Sequence, residues 1–190
     1  MSQRDSGYER KERDLYETPE WVTRVVIPHI PMRVEQVWEP AAGGGKMVKP
    51  LKDLLEGASI TATDIDTGQD FFATGGPIAC DAIITNPPYE LATEFIQRAL
   101  DVVKPRRGVV VMLLRTDFDH AKTRQNLFGL NSPFSRKIVL TKRIKWFEDS
   151  KGQPSFNHAW FIWDWQHRGP PTLAYGPTPT VSSNNHPGEK

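Results

Sequence analysis

Gly108-Val109-Val110-Val111-Met112-Leu113-Leu114 is an uninterrupted apolar run. It is far too short to cross a membrane and lacks the apolar–polar alternation of a half-exposed strand. A strand buried on both faces reads this way, and such strands lie at the centre of parallel sheets. Upstream, Asp81 to Thr85 reads as a second buried strand centred on Ala82, Ile83 and Ile84. Between the two, Leu91, Phe95, Ile96, Ala99, Leu100 and Val103 recur at helical spacing and share one face. Strand, helix and strand in that order make a crossover unit, which forces the two strands to run parallel.

The pattern extends in both directions. Towards the N-terminus, Ser59 to Asp64 alternates as a strand, a helix runs from about Met47 to Leu55, and Val34 to Glu39 reads as a short strand. A first helix is expected with Thr18 as its N-cap and Pro19 at its first position. It carries Trp21, Val22, Val25 and Val26 on one stripe and is stopped by Pro28 and Pro31. Towards the C-terminus, Lys137 to Leu140 and Ala159 to Trp165 look like strands with no helix between them, and so like antiparallel neighbours at one edge. The expected fold class is α/β: a doubly wound, mostly parallel sheet with an antiparallel edge strand.

Composition bounds the function. The 190 residues are 38% hydrophobic and 25% charged, enough for one ordinary core. The net charge of +1 provides no global basic field, so any nucleic-acid contact must use local patches. The single cysteine, Cys80, excludes an internal disulfide framework and a multi-cysteine metal site. The charged start (Arg4, Asp5, Glu9, Arg10, Lys11) is unlike a signal peptide. A soluble protein of a reducing compartment is expected. Residues 1–13 read as a polar arm, 14–166 as the folded domain, and 167–190, rich in Pro, Gly, Thr, Ser and Asn, as a tail.

Sheets of this kind bind ligands beyond the carboxyl ends of their strands, and three loops fall there. Glu39-Pro40-Ala41-Ala42-Gly43-Gly44-Gly45 lets the backbone approach a ligand. It is not a phosphate-binding P-loop, because Gly45-Lys46 leads into Met47 rather than Ser or Thr. Asp64, about twenty residues on, can accept hydrogen bonds from both hydroxyls of a ribose. Asn86-Pro87-Pro88-Tyr89 directly follows the buried strand. Its prolines stiffen the backbone. The Asn86 amide oxygen and Pro87 carbonyl then form a pair of acceptors beside the Tyr89 ring, suited to a planar substrate bearing an NH₂ group.

Glu-Pro-Ala-Ala-Gly-Gly-Gly, then Asp64, then Asn-Pro-Pro-Tyr, in that order, resembles the S-adenosylmethionine-dependent amino-methyltransferases. It is most similar to the DNA adenine-N6 methyltransferases, including small phage and prophage forms. The resemblance covers roughly residues 14 to 165 and implies a Rossmann-like methyltransferase sheet. It implies that Thr18, in Glu17-Thr18-Pro19, touches the methionine carboxylate of the cofactor. Glu39, Ala41, Gly43 and Gly45 would surround its methionine and ribose, and Asp64 would bind the ribose. Asp70 would take the adenine amino group, with the Phe71 ring packed nearby. Only Ile65 to Gln69 separate the two acids, so the family's third strand must be very short or missing.

For the reaction, Asn86 Oδ1 and the Pro87 carbonyl would grip the exocyclic nitrogen, and Pro88 would hold the loop rigid. Tyr89 would stack on a base taken out of the duplex. Phe147 or Trp146 would close on that base. Arg136, Lys137, Lys142, Arg143 and Lys145 form a basic cluster that could meet phosphates. Lys104, Arg106 and Arg107 form a second cluster. No metal is needed, and no general base of perturbed acidity is evident. Cys80 reads as inert core, His29, His120 and His158 as structural or surface groups, and Trp160, Trp163 and Trp165 as packing residues. Residues 115–134 are the only insertion with room for target recognition, so broad or short-site preference, or recognition supplied by a protein partner, is expected. The same motif also serves RNA adenine and protein glutamine amides, and a degenerate binding module is the remaining alternative.

Overall fold

Every residue from Val109 to Leu114 is 0% exposed, because this strand lies at the middle of a seven-stranded sheet. The computed structural model describes residues 16–31, 33–73, 78–147 and 156–177. The arm at 1–13 and the part of the tail beyond 177 lie outside them. The strands are β1 (Gln36–Glu39), β2 (Ser59–Ala62), β3 (Ala82–Thr85), β4 (Val109–Arg115), β5 (Phe134–Leu140), β6 (His158–Asp164) and β7 (Thr172–Gly176). Their order across the sheet is β2-β1-β3-β4-β6-β5-β7. The pairs β1–β2, β1–β3 and β3–β4 are parallel, whereas β6 is antiparallel to β4 on one side and to β5 on the other.

Helices α1 (Glu20–Val26) and α2 (Val48–Leu54) cover one face, while α3 (Ala92–Val103) and the single turn α4 (Gln125–Phe128) cover the other. Strand periodicity divides the core accordingly. Val109, Val111 and Leu113 join Val22, Val26 and Leu51 on the first face. Val110, Met112 and Leu114 join Phe95, Ile96 and Ala99 on the second. The sheet is therefore doubly wound, as expected. No strand stands between β2 and β3 among the described residues, in keeping with the short spacing from Asp64 to Asp70.

Three expectations need correction. The first helix starts at Glu20 with Pro19, not Thr18, at its N-cap, and no side chain caps it. Thr18 is instead 4% exposed, drawn into the core by the strap that precedes the helix. The tail is not structureless: β7 pairs in parallel with β5, from Arg136↔Thr172 to Leu140↔Gly176. β7 takes the sheet edge, so the antiparallel strand β6 is enclosed between two neighbours. Its Trp160 and Trp163 are 0% exposed, with indole N–H groups donated to the carbonyls of Val22 and Leu127. The insertion at 115–134 also turns inwards, burying Phe118 and Leu127 under the second face with Phe128 packed against them. These side chains help to cover the core, while Lys122, Thr123 and Leu130 of the same segment are exposed.

Candidate functional site

The carboxyl ends of β1, β2 and β3 converge, and the two halves of the site are built differently. The first half is mostly backbone. After Glu39 the chain turns back through Gly43 (φ 51°) and Gly45 (φ 83°), left-handed conformations that a side chain would strain. Asp64 braces this turn. Its Oδ2 accepts from the Gly43 N–H at 2.8 Å and its Oδ1 from the Asp66 N–H at 2.9 Å. A carboxylate has about four acceptor sites, so two remain for a ligand. A groove of about 550 Å³ is bounded by Gly43, Gly45, Val48, Lys52, Thr63 and Asp64, among others. Its lining stops short of Glu39 and Asn86. Ile65 is 68% exposed immediately after Asp64, an apolar side chain available to a flat ligand.

Glu39 is fully buried at the end of β1. Its Oε1 accepts from Thr85 Oγ1 at 2.6 Å and from the Ala41 N–H at 3.3 Å. Its Oε2 is buried without a partner. Burial pushes its carboxyl up to about 8; the Thr85 and Ala41 hydrogen bonds oppose the shift and the nearby Asp64 charge adds to it. Near pH 7 the side chain is therefore largely protonated. Asp70 and Phe71 fit their assigned roles unequally. Asp70 is exposed and accepts from the Phe72 N–H at 2.9 Å. Phe71 is 3% exposed, stacked on Phe95 at 4.8 Å and edge-on to Trp38 at 5.1 Å. Phe71 is thus a core residue, and Phe72, at 36% exposure, offers the open ring.

The second half is built from side chains. The Asn86 Nδ2 group donates to the Tyr16 carbonyl at 3.0 Å. A carbonyl only accepts, so the amide must present its NH₂ there, and this fixes the position of Oδ1. That oxygen is buried with no hydrogen-bond partner. Such an acceptor costs on the order of 1–3 kcal/mol unless something fills it, and one in a native fold calls for an explanation. Thr85 links the halves: its hydroxyl holds Glu39, and Asn86 is the next residue.

Tyr16, whose carbonyl holds Asn86, belongs to a cluster of rings. Tyr16 is stacked towards Tyr89 at 6.4 Å, lies against the Trp146 edge at 5.3 Å and is tilted to Phe147 at 5.8 Å. The Tyr89 hydroxyl meets His158 Nε2 at 2.9 Å. Burial, with the nearby Arg115 charge, holds the His158 imidazole down at about 4, so it is neutral at physiological pH. Burial likewise raises the Tyr89 phenol. The contact is a neutral hydrogen bond that fixes the plane of the Tyr89 ring. Sequence reading missed His158 and Tyr16. Because β6 runs against β4, its first residue, His158, lies beside Arg115 at the ligand-binding end of the sheet. Only that pairing places His158 in the site.

The basic cluster divides. Lys137 is enclosed: its ammonium meets Asp119 Oδ2 at 2.8 Å and the Thr116 carbonyl at 2.8 Å, and lies over the Phe161 ring. Arg136 points to the opposite face, holding Thr172 Oγ1 and His29 Nδ1, each at 2.9 Å. Neither is placed to meet a phosphate beside the rings. Lys142, Arg143 and Lys145 are exposed in the loop that leads to Trp146 and Phe147. Cys80 is 2% exposed, a core position, and burial pushes its thiol up to about 12. No group of three or more metal-binding side chains occurs among the described residues, and no helix among them is long and apolar enough to cross a membrane.

Comparison with known proteins identifies the fold. No protein-family model matches the chain, and no curated protein does. Among solved structures, it is similar to a modification subunit of a putative type I restriction enzyme from Vibrio vulnificus YJ016. That match has a TM-score of 0.51 and 16% identity, and covers 86% of this chain and 47% of the other. It is also similar to a predicted O-methyltransferase from Agrobacterium tumefaciens (TM-score 0.52, 14% identity, 82% and 84% covered). A third similar structure is a precorrin-6y C5,15-methyltransferase from Geobacter metallireducens GS-15 (TM-score 0.51, 15% identity, 84% and 96% covered). The chain spans about half the length of the restriction-modification subunits it matches. It has the Rossmann-like sheet found in methyltransferases.

Proposed function

We propose that this chain is an S-adenosylmethionine-dependent methyltransferase acting on the exocyclic N6 amino group of adenine in DNA, with the base turned out of the duplex. The observation that carries the reading is the buried, unpartnered Oδ1 of Asn86 at the end of β3, its orientation fixed by the Nδ2 bond to the Tyr16 carbonyl. An acceptor built to receive an N–H explains why the fold tolerates it.

The cofactor half is consistent with this. The glycine turn admits close backbone approach, Asp64 retains acceptor sites for ribose hydroxyls, and the protonated Glu39 keeps Oε2 without a partner in the fold. Bound S-adenosylmethionine supplies an electrophilic methyl carbon on a sulfonium. The protein's contribution is positional and electrostatic. Asn86 Oδ1 and the Pro87 carbonyl accept the two N–H bonds of the amino group. They hold its nitrogen pyramidal, with the lone pair towards the methyl. Tyr89, fixed by His158, stacks on the base plane, and Trp146 and Phe147 close around it. The amino proton released after methylation goes to water. Lys142, Arg143 and Lys145 contact flanking phosphates, while Arg136 and Lys137 serve the fold.

Labelled S-adenosylmethionine offered with DNA, RNA and a glutamine-containing peptide as separate acceptors tests this. Label in DNA, recovered as N6-methyldeoxyadenosine, is the expected result. Label in RNA or peptide alone overturns the substrate assignment. No saturable cofactor binding by calorimetry identifies a binding module instead.

A further inference from the structure

We infer that Phe156, with the Arg115 guanidinium on its ring, is a second stacking site that receives the base next to the methylated adenine. The inference rests on the proposed DNA methyltransferase reading. Phe156 is 47% exposed, and Arg115 Cζ lies 4.2 Å from its ring centroid. An aromatic ring backed by a guanidinium is the kind of surface on which nucleobases stack. Asp117 holds the guanidinium in place: its Oδ1 accepts from Nε at 3.2 Å and its Oδ2 from Nη2 at 3.1 Å. The neighbouring chain is held as well. The Thr116 N–H donates to the Asn157 carbonyl at 2.9 Å, and Arg143 Nε donates to Asn157 Oδ1 at 2.9 Å. The pair is therefore built before any ligand arrives.

Its place in the fold ties this pair to the acceptor site. β3 ends at Thr85, in register with Met112, whereas β4 continues to Arg115. Arg115 thus stands about 10 Å further along the sheet, at its ligand-binding end. It is paired with His158, whose Nε2 meets the Tyr89 hydroxyl, and Phe156 lies two residues before His158. After burial, the Arg115 charge is the next cause holding the His158 imidazole down, and it opposes the rise that burial and Tyr16 impose on the Tyr89 phenol. Arg115 therefore acts on the ring assigned to the target base and lies on the ring of Phe156. A base turned out of a duplex leaves its neighbour without a stacking partner. Phe156 restores that stack. Every base presents a π-face, so the site adds affinity without reading the neighbour's identity.

Phe156→Ala, Phe156→Leu and Phe156→Trp in the full chain test this by their affinity for three duplexes, with S-adenosylhomocysteine present. Each duplex holds one adenine that the parent methylates. One is intact, and the others lack the base directly 5′ or directly 3′ of that adenine. Comparing parent and variant on the same DNA cancels the altered cost of turning the adenine out. Phe156→Ala and Phe156→Leu are expected to weaken binding of the intact duplex about tenfold, the size of a lost base–aromatic stack. On one of the two duplexes lacking a neighbour they are expected to bind within twofold of the parent. Phe156→Trp is expected within threefold of the parent on all three. An equal loss on all three duplexes, or no loss on the intact one, overturns the inference. So does binding by Phe156→Trp as weak as that of Phe156→Ala. Any of these results with a parent that methylates DNA leaves the methyltransferase reading standing. Label in RNA alone rejects the DNA substrate, and the same series on the RNA acceptor then decides the role of Phe156. No label in either nucleic acid rejects both.

Discussion

The glycine turn and the aromatic cage lie next to each other at the same end of the sheet, yet they are made from different materials. The first is one contiguous stretch, residues 39–45, braced by a single carboxylate at 64 that accepts from the Gly43 N–H and is itself held by the Asp66 N–H. The second collects side chains from four stretches far apart in the chain: residue 16, residues 86 and 89, residues 146 and 147, and residue 158. The contrast separates two ways of presenting a ligand site. Backbone presentation depends on φ and on the lack of a Cβ, so it tolerates little substitution but needs few partners. Side-chain presentation depends on the sheet's topology to bring remote residues together, and its parts can be removed one at a time.

The contrast can be tested by substitution. The largest effect is expected at Glu39, the buried acid of the turn. Its carboxyl lies at about 8 in the fold against 4.5 when unfolded. The folded state therefore binds the proton more tightly, and stability is lost as pH rises from about 4.5 through 8. Glu39→Gln should abolish that loss. Denaturant melts should show the variant gaining on the parent by roughly 4–5 kcal/mol at high pH and by nothing at pH 4. Equal slopes against pH would show that Glu39 is not desolvated. Next comes Lys137, whose ammonium is enclosed with Asp119. Lys137→Ala should cost about 2 kcal/mol of stability, since charged hydrogen bonds are worth roughly 1.5–3 kcal/mol, and should leave DNA affinity within twofold. A loss of DNA affinity at unchanged stability would return Lys137 to the binding surface.

Gly43→Ala places a Cβ on a left-handed residue and should cost about 1–2 kcal/mol. Cofactor affinity should fall, while the Tyr89–His158 contact, watched by the His158 imidazole resonance, stays unchanged. Movement of that resonance would mean the two halves are not independent. The smallest effect is expected at Lys142. Its exposed ammonium would account for one phosphate contact, so Lys142→Ala should reduce the slope of log affinity against log salt by about 1, with little change in the protein's melting. An unchanged slope would remove this loop from the DNA path.

The same contrast explains what was legible in the sequence. Glu39, Gly43, Gly45, Asp64 and Asn86 could be read because each lies at or just past the end of a short strand, in a run whose meaning is local. The central strand at 109–115 was legible because apolar runs bounded by turns have few other uses. His158 could not be found this way. It lies in the site only because β6 runs antiparallel to β4, and a lone histidine before an apolar run carries no mark of that. Tyr16 was hidden by its neighbours, since Glu17-Thr18-Pro19 draws attention to a helix start. β7 was obscured by the prolines and glycines flanking Thr172-Leu173-Ala174-Tyr175, although those four residues suit an edge strand. The division between Arg136 and Lys137 was available in principle, because successive strand residues face opposite ways.

The claim on which the rest depends is that Asn86 Oδ1 exists to receive an amino group. Single-turnover methyl transfer by Asn86→Ala, measured beside its calorimetric affinity for S-adenosylmethionine, tests it most directly. Loss of one such positioned group typically lowers the rate about 100- to 1,000-fold. The expected result is a fall of that size with cofactor affinity within twofold of the parent. Full-rate transfer by Asn86→Ala would contradict it.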